Sequence, residues 1–88
     1  MRRQYKQRLQ NFLAMQLMLF RTEQNLTQEK MAEKLAISPR AYIDLEHGKH
    51  ACSMITCLLF LMNLKDEAVL RLLRECRNLV DDADQDAA

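Results

Sequence analysis

The sequence predicts an all-α domain of five helices, and three observations carry that prediction. The 88 residues include a single glycine and a single proline, so almost nothing interrupts a helical backbone. Leu, Met, Gln, Glu, Lys and Arg, which lose little side-chain freedom on entering a helix, recur along the whole chain. Apolar residues return at helical spacing, and no stretch alternates apolar and polar between turn signals as a strand would. A chain of this length supports one core and lies near the size at which stability is marginal and association helps.

The elements follow in order. A first helix is expected over 4–24, with Leu9, Phe12 or Leu13, Leu17 and Phe20 toward the core. Met15, Met18 and Leu19 point elsewhere, and a helix apolar on more than one side is covered either by a broad contact with the last helix or by another subunit. Thr27 is placed to cap a second helix over 28–35, with Leu26 and Met31 at the staple positions and Met31, Ala32 and Leu35 on one face. The chain must then turn at Ala36-Ile37. Ser38 is a second N-cap, Pro39 suits the first helical position, and Gly48 suits the residue just past a helix end. The only two backbone punctuators thus bracket a third helix over 39–47, which buries Tyr42 and Leu45. Ser53 opens a fourth helix to about Met62. Asp66 and Glu67 begin a fifth to Val80, with a stripe of Val69, Leu72, Leu73, Cys76 and Val80. One domain over 1–80 is expected, followed by an acidic tail over 81–88 that has nothing to bury and is expected to fray.

Two short helices joined by a tight turn are a helix-turn-helix signature. Gln28-Glu29, Met31-Ala32, Leu35, Ile37-Ser38, Leu45-Glu46 and Gly48-Lys49 together resemble the Cro and phage-repressor class of helix-turn-helix regulators, over roughly 17–64. The resemblance implies a lambda-repressor-like fold with the motif at helices 2 and 3. It also implies that Arg21 pairs with Glu46, tying helix 1 to the recognition helix. Two residues depart from the class: Ala36 stands where it usually places glycine, and Pro39 where many members carry a base-reading glutamine. In the family register Met54, Cys57, Phe60, Leu61 and Leu64 fill the core. Ile55, Leu58, Leu59 and Met62 then form a second apolar stripe where relatives often carry polar residues, and a dimer interface is expected there.

Charge is spread unevenly. Residues 1–50 hold nine Lys and Arg against five acids, and 51–88 hold four against seven, for a net +1. That asymmetry suits an N-terminal side facing an anion. Cys52, Cys57 and Cys76 are odd in number and form no Cys-x-x-Cys pair, which speaks against a disulfide framework or a zinc ribbon and suits the reducing cytoplasm. His47, His50 and Cys52 lack a fourth ligand at metal spacing, and no nucleophile, base and orienter set supports an enzyme. No cofactor is expected. The run over 54–62 is too short to span a bilayer as a helix, and Gln16 and Arg21 break the faint likeness of residues 2–20 to a signal peptide.

The resemblance implies a cytoplasmic, homodimeric regulator of double-stranded DNA, simplest as a repressor acting by occlusion, with no small-molecule effector. It places Pro39, Arg40, Ala41, Ile43 and Asp44 toward the major groove. Arg40 is suited to bridge O6 and N7 of guanine, Ile43 to meet a thymine methyl, and Asp44 to accept from cytosine while repelling phosphate. The simpler role for Arg40 is to offset Asp44 one turn on. Gln28 at the start of helix 2, Lys49 and His50 after helix 3, and Arg2 and Arg3 are the expected phosphate contacts. A rival function keeps the fold as a protein-interaction module, an antitoxin or regulator subunit, that presents its apolar stripes to a partner. Low basicity, Pro39 and Asp44 favour that rival, whereas Gln28, Arg40, Lys49 and Arg2-Arg3 favour DNA.

Overall fold

The computed structural model describes the backbone of residues 3–87 and the side chains of residues 5–82. It is all-helical: α1 (Arg3–Glu23), α2 (Gln28–Lys34), α3 (Pro39–Glu46), α4 (Met54–Leu61) and α5 (Asp66–Ala87). Each of the three central helices starts on a hydroxyl cap. Thr27 accepts from the Lys30 N–H, Ser38 from that of Ala41 and Ser53 from that of Thr56, each at 3.1 Å. A cap of this kind contributes about 1 kcal/mol, which matters most for helices of two turns.

The first three helices end in the same device. After α1, Asn25 N–H reaches Thr22 O and Leu26 N–H reaches Arg21 O; after α2, Ala36 pairs with Glu33 and Ile37 with Ala32; after α3, Gly48 pairs with Leu45 and Lys49 with Asp44. These are Schellman closures, which need a left-handed residue just past the helix. That position is filled by Asn25, Ala36 and Gly48, with φ of 56°, 57° and 71°. Asparagine and glycine tolerate the region and alanine does not, at about 1–2 kcal/mol for an L-residue with a Cβ. Ala36→Gly is therefore expected to stabilise the protein by about 1 kcal/mol after the extra freedom of the unfolded glycine is deducted. A rise of roughly 5 °C in the thermal midpoint checks this, and Ala36→Val should fall instead.

The core gathers Leu17 from α1, Met31, Ala32 and Leu35 from the α2 region, Tyr42 and Leu45 from α3, Phe60 from α4 and Leu72 from α5. Phe20 meets Phe60 edge-on with centroids 5.7 Å apart, joining α1 to α4. In α4 the buried line is Thr56 and Phe60, with Leu59 half-buried against the core. Two expectations are corrected by this phase. Met54 is 74% exposed instead of buried, and Leu59 leaves the outer stripe, which consists of Met54, Ile55, Leu58 and Met62. With Phe60 packed on Phe20 and Leu59 against the core, Thr56 lies on the inward side, where its hydroxyl accepts from Ser53 Oγ at 2.9 Å. On α5, Leu72 is buried while Leu73, expected in the apolar stripe, is half-exposed, as is Leu70. The α5 backbone continues past Val80 to Ala87, over a stretch with neither glycine nor proline.

Candidate nucleic-acid interface

α2, the Ala36 turn and α3 form a rigid angle, and the residue that holds it is Glu46 in the last turn of α3. Its carboxylate accepts Arg21 Nε on Oε2 at 2.7 Å, Arg21 NH2 on Oε1 at 3.1 Å, Gln28 Nε2 on Oε1 at 3.0 Å, and the Tyr42 hydroxyl on Oε2. Arg21 also donates from NH1 to the Leu26 carbonyl at 3.1 Å. One carboxylate therefore binds α1, the start of α2 and the interior of α3 together. The side chains are withdrawn from water, Glu46 at 5% and Arg21 at 19% exposure. Burial by itself would raise the Glu46 pKa, but the hydrogen bonds from Arg21, Tyr42 and Gln28 outweigh it and hold the group below its ordinary value. The hydrogen bond to Glu46 raises Arg21 further. Burial, reinforced by Glu46, pushes the Tyr42 phenol well up, so Tyr42 stays a donor.

With α3 clamped from inside, its other side faces solvent. Pro39, Arg40 and Ala41 are exposed, and Ile43 and Asp44 are half-buried beside them. The Arg40 side chain is 79% exposed and its Nε lies 3.7 Å from Asp44 Oδ1; His50 Nε2 lies 3.7 Å from Asp44 Oδ2. Arg40 does offset Asp44 in the unbound protein. The contact is long and open to solvent, so it contributes little and leaves Arg40 able to swing outward. Lys49 and His50 are exposed in the loop after α3. Gln28 departs from its expected place: its amide is directed to Glu46, with one N–H still available to another acceptor. Arg2 and the side chain of Arg3 lie outside the described residues.

The expected Arg21–Glu46 pair is present, and Tyr42, expected only as core, and Gln28, expected on a phosphate, join it on the same carboxylate. The four-residue spacing of Tyr42 and Glu46 was a visible signal for one of these contacts. The remaining polar chemistry is sparse. The three cysteines are free thiols whose pKa values burial raises, Cys52 to about 11, so they are poor nucleophiles. Among the described residues no group of three His, Cys, Asp or Glu side chains is placed to hold a metal ion.

Residues 17–62 match the family model described as helix-turn-helix, a span that runs from the core residue Leu17 through α4. The chain belongs to this helix-turn-helix family, of the Cro and phage-repressor type. It is a family of DNA-binding regulators. No curated protein and no solved structure matches the chain. Among the described residues no helix is long and apolar enough to cross a membrane.

Proposed function

We propose that the chain is a sequence-specific double-stranded DNA-binding transcriptional regulator of the cytoplasm, a repressor that acts as a homodimer by occluding its site without a small-molecule effector. The observation that carries this reading is the Glu46 clamp. It fixes α3 from its buried side with bonds from Arg21, Gln28 and Tyr42, leaving Arg40 and its neighbours on the opposite, solvent-facing side, as base reading requires. Arg40 and Ile43 read bases, with Ala41 and Pro39 shaping the approach. Lys49 and His50 contribute sequence-blind contacts to phosphate, Gln28 offers its remaining N–H, and Arg2 and Arg3 extend the basic side. Asp44 accepts from the amino group of cytosine and repels a misplaced phosphate.

Arg40→Ala and Lys49→Ala test the assignment together. In anisotropy titrations over duplexes that differ one base pair at a time, Arg40→Ala should lose about 1–3 kcal/mol of preference at one position per half-site. Lys49→Ala should weaken all sequences alike and reduce the salt slope by about 0.9. Equal, uniform losses for both would remove Arg40 from base reading. The exposed apolar face of α4 supports a second function, docking to a protein partner, and a wild type that binds no duplex at low salt would favour it.

A further inference from the structure

We infer that the N-terminal half of α1, which precedes the stretch matched by the family model, is a second backbone-binding element: Gln10 positions the loop bearing Lys49 and His50, and Lys6 supplies a phosphate contact beside it. The inference rests on the DNA-binding function proposed above. Three observations meet at this place. Gln10 Nε2 donates to the Gly48 carbonyl at 2.7 Å, across 38 residues of sequence. A Cβ on Gly48 would lie 3.1 Å from Asn11 Oδ1, and Asn11 is itself held by the Gln7 amide at 2.9 Å. Lys6, Leu9, Gln10 and Leu13 share a shallow groove with Ala51 and Cys52, the residues that close the same loop.

α1 is thus docked on the left-handed residue that ends α3, and the loop is pinned at its start. The alternatives are few, because between His47 and Ser53 the chain has no helix to hold it. Lys49 N–H is bonded back to Asp44 O, which fixes the direction in which the loop leaves α3. Lys6 lies one turn before Gln10 on the same face and is exposed. Its methylenes can lie along Leu9 while the ammonium stays in water beside Ala51, two residues from Lys49. A duplex that touches Lys49 and His50 would meet Lys6 along the same strand. Gln10 is a positioning residue in this scheme, since it never touches DNA.

Anisotropy of a labelled mixed-sequence duplex, titrated at several KCl concentrations, tests both parts. Lys6→Gln should make the slope of log K against log salt shallower by about 0.9, the loss of one phosphate, with its thermal midpoint unchanged. Gln10→Met keeps volume and removes the bond to Gly48. It should weaken binding severalfold, and in its background Lys49→Ala should have little further effect, because the displaced lysine no longer reaches its phosphate. A wild-type slope in Lys6→Gln, or additive losses for Gln10→Met and Lys49→Ala, would overturn the inference while the DNA-binding function stands. A wild type that binds no duplex would overturn that function, and the inference with it.

Discussion

Glu46→Ala is expected to lower the free energy of unfolding by about 3 kcal/mol, the low end for a buried ion pair, because it leaves the Arg21 guanidinium without a counter-charge while water still reaches it and its bond to the Leu26 carbonyl remains. The Tyr42 hydroxyl and the Gln28 amide lose their acceptor at the same stroke. For a domain whose total stability is about 5–15 kcal/mol, such a loss brings unfolding close to working temperature. Glu46→Gln keeps the shape and an acceptor oxygen but not the charge, so it should cost less, about 2 kcal/mol. The two variants also separate by pH. The folded pKa of Glu46 is depressed, so its contribution is present above the ordinary carboxylate value and is lost as pH falls through the lower folded value. Urea melts from neutral to acidic pH should show wild type losing that component on acidification and Glu46→Gln lacking it throughout. A Glu46→Ala protein that melts like wild type would contradict the clamp.

Leu58→Glu combined with Met62→Lys is expected to convert the proposed dimer into a folded monomer with little affinity for an operator. Met54, Ile55, Leu58 and Met62 lie together on the side of α4 opposite Thr56 and Phe60, and all four are exposed in the single chain. Apolar area removed from water stabilises an interface by about 25 cal/mol per Å², and placing charges there forfeits it. The new Glu and Lys stand four residues apart in the favourable order, so helicity should persist. Leu59 is left alone because it packs on the core. A twofold axis would set two copies of α3 about 34 Å apart, one turn of duplex, so loss of the dimer removes the second half-site. Light scattering reads the mass and circular dichroism the fold. A wild type that is monomeric at about 100 μM, well above the level at which a functional regulator dimer must form, would contradict this use of the α4 face.

The helices were legible because the chain marks them. Thr27, Ser38 and Ser53 cap three helices, and Pro39 and Gly48 bracket α3. The phase of α4 was legible only through the family register, which put Phe60 inward and Ile55, Leu58 and Met62 outward as found but misplaced Met54 and Leu59; every residue of Met54–Leu61 except Thr56 is apolar, so the pattern itself carries no period. Thr56 is buried with its hydroxyl satisfied by its own cap, which no hydrophobic pattern records. The continuation of α5 beyond Val80 was not legible because the acidic composition of 81–88 signals only that the segment has little to bury, not where the helical backbone ends. At the candidate site, Arg21 and Glu46 were matched through family resemblance, but the convergence of Tyr42 and Gln28 on one carboxylate depends on how α2 and α3 are angled. The Gln10 bond to Gly48 spans elements whose crossing no local signal encodes.

On the proposed function α3, held by Glu46 and flanked by Lys49 and His50, reads a defined DNA sequence. Selection from a pool of random duplexes tests it most directly. Enrichment of a roughly palindromic site, with half-sites one helical turn apart and with the preference at one position per half-site lost in Arg40→Ala, is the expected result. A pool that shows no enrichment after selection at low salt, where backbone attraction is strongest, would contradict it.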